Sequence, residues 1–140
     1  MNRSPPKPVP PEKPLPSDCC DSGCDRCVHE VYAEELAHYV SDSGARVAIC
    51  AQDLLPQMLP LHRQHGATGD DVLDYVVVAT YSDYLQQPTD LPVPDFVRAP
   101  AQPLTHPNTP AWNDVLAAQR APGPHTAGPD DLCVMPYTSG

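Results

Sequence analysis

Residues 30–50 read EVYAEELAHYVSDSGARVAIC, a run that contains the signals of a helix, a turn and a strand in succession. Apolar residues recur at three- and four-residue spacing from Val31 to Val40, which is typical of a helix with one apolar face. Acidic residues near the start favour a helix N-terminus, and Gly44 favours its end. The following residues 46–50 predict a short buried strand. A helix followed directly by a strand indicates an α/β fold.

Further elements are predicted downstream. Residues 74–79, DYVVVA, form the best strand pattern in the chain because of their β-branched run. Residues 54–61 predict a short helix that Asp53 caps and two prolines interrupt. Residues 65–71 are predicted to form a loop. A last helix is predicted over residues 110–118, with a proline at its start, where proline is tolerated.

Prolines limit where a packed core can lie. Seven of the first sixteen residues are proline, and ten more lie between Gln86 and Pro129. Such stretches do not form regular helices or central strands. Residues 1–18 therefore predict a disordered, extended tail, which is a spacer or a ligand for a protein partner with an SH3-like groove. We expect the core between Val28 and Leu85, with a short return at Leu132–Tyr137.

Charge and hydropathy exclude several classes of protein. The formal net charge is −10 and the chain has only two lysines, Lys7 and Lys13, which disfavours nucleic-acid binding. The N-terminus lacks the apolar core of a signal peptide, and the strongly apolar residues 76–79 are too few to span a membrane. We expect a cytoplasmic protein. Its six cysteines are then expected to be free thiols or metal ligands rather than disulfides.

Four of these cysteines form a cluster. Residues 18–29 read DCCDSGCDRCVH, which places four thiols within nine residues. Cys24 and Cys27 are separated by two residues, so both sulfurs can turn toward one Zn or Fe ion, and Cys19 or Cys20 could supply a third ligand. A fourth would come from His29 or a second chain. The same spacing also fits a redox-active dithiol or inert thiols.

The remaining reactive side chains are predicted to be ordinary. Cys50 and Cys133 lie in apparent strands and are interpreted as buried apolar residues rather than nucleophiles. Trp112 and Tyr137 are core candidates. Several histidines lie in proline-rich or otherwise unsupported positions and are predicted not to form a catalytic or metal site. They are His38, His62, His65, His106 and His125.

Residues 10–39 resemble the small oxidoreductase-like domain. In that family, prolines precede a Cys-Cys-x-Ser-Gly-Cys-x-x-Cys-Val core and an acidic helix, and residues 19–28 read CCDSGCDRCV here. The resemblance implies a cysteine module of undetermined activity rather than an identified electron-transfer reaction.

Residues 34–140 resemble a different family. Their opening, ending in Asp-Ser-Gly-Ala before a strand, and their end, DDLCVMPYTSG, are similar to the adenylate-forming (AMP-binding) acyl-CoA synthetases. The resemblance implies an incomplete piece of that family's N-terminal α/β domain. It also implies that Thr138, Ser139 and Gly140 belong to a loop that holds the phosphates of ATP. The complete family uses ATP and Mg²⁺ to activate a fatty acid or other carboxylate, which is then transferred to CoA.

Two hypotheses about function follow. The first is a truncated fatty-acid–CoA ligase segment that is inactive alone, because three loop residues cannot stabilise the charge that adenylation develops. The alternative is a cysteine-motif protein that binds a metal ion or a protein partner. Both resemblances include the helix at residues 34–39. We also expect a marginal fold, because the apolar face of that helix lacks the preceding strands of a complete ligase.

Overall fold

The computed structural model describes residues 27–67, 69 and 72–136. The described residues fall into two units, one with residues 27–43 and 126–136 and the other with residues 44–125. The elements are a mixture of helices and a two-stranded parallel sheet, so the predicted α/β class is confirmed at that level. The predicted proline-rich tail, residues 1–18, lies outside the described residues.

Helix α1 spans Val28–Ser43, close to the predicted bounds. It ends where Gly44 adopts a φ of +62°, the left-handed conformation that closes many helices. The hydroxyl of Ser43 donates a hydrogen bond to the Tyr39 carbonyl at 2.6 Å within the last turn. No residue of α1 is fully buried, so the apolar face that the spacing predicts is only partly covered.

The second unit is built on two parallel strands, both predicted from the sequence. The prediction that the first is a buried strand was wrong, because Val47 and Ile49 are 53% and 62% exposed. Strand β1 spans Val47–Ala51 and strand β2 spans Tyr75–Ala79, with Val47 opposite Tyr75 and Ala51 opposite Ala79. The crossover between them contains helix α2, Leu55–Met58, and short 3₁₀ turns. Those turns are Gln52–Leu54, Leu59–Leu61 and Arg63–His65.

The helix predicted over residues 54–61 is therefore reduced to one α turn. Pro56 and Pro60 each remove a backbone N–H, and the chain responds with tighter 3₁₀ geometry on either side. The predicted cap at Asp53 was wrong. The N-cap position of the first turn is Ala51, and no side chain caps it.

A third segment pairs with the free edge of β2. The N–H of Val76 donates to the Asn108 carbonyl at 3.1 Å, and the N–H of Val78 donates to the Pro110 carbonyl at 2.9 Å. Ala111 forms a parallel bridge with Val78. Pro110 offers only its carbonyl, so it is tolerated at this edge. The proline-rich segment after Leu85, residues 86–110, is called the proline-rich excursion. It thus returns to the sheet before helix α4, Trp112–Ala117.

Side-chain hydrogen bonds hold the rest of that excursion in place, including helix α3, Asp95–Arg98. The Gln52 amide donates to the Pro100 carbonyl at 3.0 Å and accepts from the Gln102 N–H at 3.2 Å. The Ser82 hydroxyl donates to the Ala99 carbonyl at 2.8 Å. Because Gln52 and Ser82 follow β1 and β2, the excursion is held at the carboxyl ends of both strands.

The core of the described residues is small and lies in the second unit. Its apolar members are Cys50, Val72, Leu73, Val76, Val77 and Val78. All lie within the predicted range, Val28–Leu85. No helix in the described ranges is long and apolar enough to cross a membrane.

The predicted return of the chain to the core near residue 132 was wrong. Leu132 is 73% exposed and Val134 is 67% exposed. Cys133 is also exposed and lies in no strand. The run between Pro129 and Pro136 pairs with no strand among the described residues, so its apolar side chains are left uncovered.

Candidate functional site

Cys27 occupies the N-cap position of helix α1. Its carbonyl accepts the first helical hydrogen bond, from the Val31 N–H at 3.0 Å. Its own N–H donates to Oε2 of Glu30 at 3.3 Å, which is the backbone half of a capping box. The sequence from Cys27 to Glu30 therefore places the last thiol of the cluster at the exact start of a sixteen-residue helix.

This position suits a sulfur ligand. The first turn of a helix presents N–H groups without intrahelical partners and carries partial positive charge. Negatively charged groups, such as a metal-bound thiolate, are stabilised there. Cys27 is half-buried, so its thiol is neither enclosed in a core nor fully open to solvent.

The other predicted ligands, Cys19, Cys20 and Cys24, lie outside the described residues. Among the residues that the structure does describe, no group of three or more histidines, cysteines or acids is arranged to hold a metal ion. The four-thiol site thus stays a prediction. Cys27 is the one predicted thiol ligand that lies among the described residues. The predicted phosphate-loop residues Thr138, Ser139 and Gly140 also lie outside the described ranges.

Cys50 has the opposite environment. It is 7% exposed in the middle of β1, and burial together with the nearby Asp53 charge raises the pKa of its thiol to about 11. A thiol with this pKa is almost wholly protonated near neutral pH, so it is a poor nucleophile and a poor metal ligand. The interpretation of Cys50 as a buried apolar residue is confirmed.

Two arginines surround Asp74 at the start of β2. One carboxylate oxygen accepts from Arg46 Nη2 at 2.7 Å and Nε at 2.9 Å, and the other accepts from Arg63 Nε at 2.9 Å. These hydrogen bonds, first from Arg46 and then from Arg63, lower the pKa of Asp74. The cluster joins the starts of β1 and β2 to the crossover, and its carboxylate is fully engaged. We interpret it as structural.

Two of the histidines lie next to each other, which the sequence did not predict. Nε2 of His65 lies 2.7 Å from Nδ1 of His106, although 41 residues separate them in the chain. His106 reaches this position because the segment that follows it pairs with β2. No local pattern in the sequence signals that return.

His62, by contrast, is a structural side chain. It has no exposed surface, and its Nε2 lies 3.1 Å from the Asp74 carbonyl oxygen. A carbonyl can only accept, so this nitrogen carries the hydrogen and the ring is fixed in one tautomer. Its contact aligns the crossover with the beginning of β2.

An open cleft of about 700 Å³ lies between the sheet and α4. Its walls include Val47, Tyr75, Val77 and Val115, and His106 lies on its lining. Apolar walls with a few polar groups are typical of sites for small organic ligands. The sequence did not predict the cleft, because its walls come from segments that are far apart in the chain.

Comparison with known families gives a match for one of the two resemblances and none for the other. The family model described as "Oxidoreductase-like protein, N-terminal" matches residues 3–46, a span that includes all four clustered cysteines and helix α1. No AMP-binding family model matches the chain, so the resemblance of residues 34–140 to acyl-CoA synthetases stays a prediction. No solved structure matches the chain. Residues 3–46 therefore match an oxidoreductase-like N-terminal domain, whose name does not specify a reaction.

Proposed function

We propose that residues 3–46 form a metal-binding cysteine module. In this module Cys24 and Cys27 hold one Zn or Fe ion, and Cys19 or Cys20 provides a further thiolate. The observation that carries the proposal is the position of Cys27 at the N-cap of α1, inside the matched family span. A Cys-x-x-Cys pair that ends at a helix N-terminus directs its second sulfur toward the positive end of the helix.

Packing gives independent support for a structural ion. Between residues 27 and 46, the described part of the module, no residue is fully buried. Small modules that bury little apolar surface usually need a metal ion or disulfides for stability. A thiolate-bound ion would fix the segment before α1 and so present the exposed side of the helix to a protein partner.

Metal analysis of the full chain tests the proposal. The chain is purified under reducing conditions, and its zinc and iron are measured by inductively coupled plasma mass spectrometry. We expect about one ion per chain, and loss of that ion in the Cys24→Ser/Cys27→Ser variant. Cys133→Ser is the matched control, because Cys133 is an exposed thiol outside the module. Equal metal content in the double variant and the wild type would contradict the proposal.

The ligase hypothesis has a separate test. If residues 34–140 are an incomplete adenylate-forming segment, the 140-residue chain lacks the groups that stabilise the adenylation transition state. We expect no ATP–pyrophosphate exchange with any fatty acid tried. Exchange above the level of a heat-denatured control would show that the chain is a functional ligase and would contradict the prediction of inactivity.

A further inference from the structure

His65 and His106 bring two imidazole rings together from separate parts of the second unit. Their facing nitrogens are 2.7 Å apart, and the ring centroids are 4.4 Å apart with an angle of 64° between the ring planes. His65 is exposed and His106 is half-buried, so solvent reaches the pair. An accessible pair of imidazoles is a ligand set for transition metals.

Backbone contacts hold both loops in place. The His65 N–H donates to the His62 carbonyl at 2.9 Å, and His62 forms a parallel bridge with Leu73. On the other side, the Thr109 hydroxyl donates to the His106 carbonyl, and Asn108 pairs with β2. Both rings are thus positioned by the core rather than by free loops, which lowers the entropy cost of binding a ligand between them.

The separation of the nitrogens is compatible with binding of both rings to one metal ion. Two imidazole nitrogens bound at about 2.0–2.1 Å lie about 2.9 Å apart when the angle at the metal is 90°, and about 3.3 Å apart when it is tetrahedral. The 2.7 Å between the rings of the metal-free pair is a hydrogen-bond distance, and a ring movement of a few tenths of an ångström reaches either arrangement. Imidazole nitrogens bind Zn, Cu, Fe and Ni ions, so the pair indicates a transition-metal site without selecting one metal.

We propose that His65 and His106 form a two-imidazole binding site for a divalent transition-metal ion, with water in the remaining positions. Without the ion, the N–H of one ring donates to the other ring. On binding, the donating ring carries its hydrogen on its other nitrogen, so that both facing lone pairs bind the metal and no hydrogen is lost. His62 does not take part, because its Nε2 is bonded to Asp74 and its ring is enclosed.

This site is independent of the cysteine module. It uses nitrogen ligands from the crossover and from the proline-rich excursion, whereas the module uses sulfur ligands upstream of α1. Its test therefore needs a measurement that reports on individual histidines, since Ni(II) also binds thiolates.

The test is a Ni(II) titration of the full chain, followed by NMR of the histidine ring C–H signals. Paramagnetic Ni(II) broadens signals close to it, so we expect the His65 and His106 signals to broaden together at the lowest Ni(II) concentration. His38, on α1, and His125, in an exposed loop, are the matched controls and should respond later.

Variants then separate a shared site from two independent ones. In His65→Ala, the His106 signal should need roughly tenfold or more Ni(II) to broaden, because one of two ligands is lost. His106→Ala should have the same effect on His65. The signal of the buried His62 reports whether each variant keeps its fold. The proposal is overturned if His106 broadens equally in His65→Ala, or if His38 and His125 broaden in the wild type as early as the pair.

Discussion

The two cysteines outside the cluster, Cys50 and Cys133, differ in burial, and their thiols are therefore expected to differ in reactivity. Cys50 lies in β1 with its pKa raised to about 11, whereas Cys133 is exposed. At pH 8 a thiol of that pKa is about 0.1% thiolate, so its reactivity is low even before steric protection is considered. We expect iodoacetamide to label Cys133 at least roughly a hundredfold faster than Cys50 in the folded chain.

Peptide mass spectrometry after timed labelling measures the two rates. Denaturant provides the control, since unfolding exposes both thiols and should bring their rates together. Labelling of Cys50 as fast as Cys133 without denaturant would mean that the Cys50 thiol is not buried in the folded chain.

Asp74 makes stability depend on pH. Its pKa is lowered in the folded chain, so the folded state favours the ionised carboxylate. The resulting stability is present above the unfolded pKa of about 3.9 and is lost as the pH falls through the lower folded pKa. We expect Asp74→Asn to lower the urea midpoint at pH 7, and the gap from wild type to narrow as the pH falls below about 4.

The control for this prediction is Asp90→Asn, which changes an exposed loop acid without an arginine cluster. Both variants are compared with the wild type by urea unfolding at each pH. A gap for Asp74→Asn that is equally large at pH 7 and pH 3 would contradict the role of the ionised carboxylate.

At the level of elements, Gly44 is a position where the backbone conformation required to end a helix favours glycine. Its φ of +62° lies in the left-handed region, where a Cβ costs about 1–2 kcal/mol. We expect Gly44→Ala to reduce the free energy of unfolding by about 1 kcal/mol, measured by chemical denaturation followed by far-UV circular dichroism.

Gly123→Ala is the matched control. Gly123 has an ordinary φ and open space where a Cβ would lie, so its replacement should change stability very little. Equal effects of the two substitutions would show that α1 does not end at Gly44 in solution.

Elements with a local signal could be predicted from the sequence. Helix α1 and both strands carry their periodicity and end signals within their own residues. The pairing of Asn108 and Pro110 with β2 could not be predicted, because proline-rich residues resemble a loop and their partner lies about thirty residues upstream. The contact between His65 and His106 depends on that pairing and was missed for the same reason.

At the scale of the whole molecule, the core that the described residues form is small, so each buried side chain matters to stability. Leu73 has no exposed surface, and truncating a buried leucine typically costs 2–5 kcal/mol. That is a large share of the roughly 5–15 kcal/mol available to an ordinary domain. We expect Leu73→Ala to lose most of its cooperative thermal transition, measured by circular dichroism.

Leu91→Ala is the control, because Leu91 is 75% exposed and should tolerate the change. If Leu73→Ala melts as the wild type does, residues 72–80 do not form the core. A steep transition at high temperature in the wild type would contradict the predicted marginal fold.

The proposed role of Cys27 as a metal ligand at the start of α1 can be tested by cobalt substitution. Co(II) bound to thiolates gives a sulfur-to-metal charge-transfer absorption that the histidine pair cannot produce. We predict this band in the wild type and in Cys133→Ser, and its loss or marked weakening in Cys27→Ser. A band of equal strength in Cys27→Ser, or no band in the wild type, would show that Cys27 is not a metal ligand.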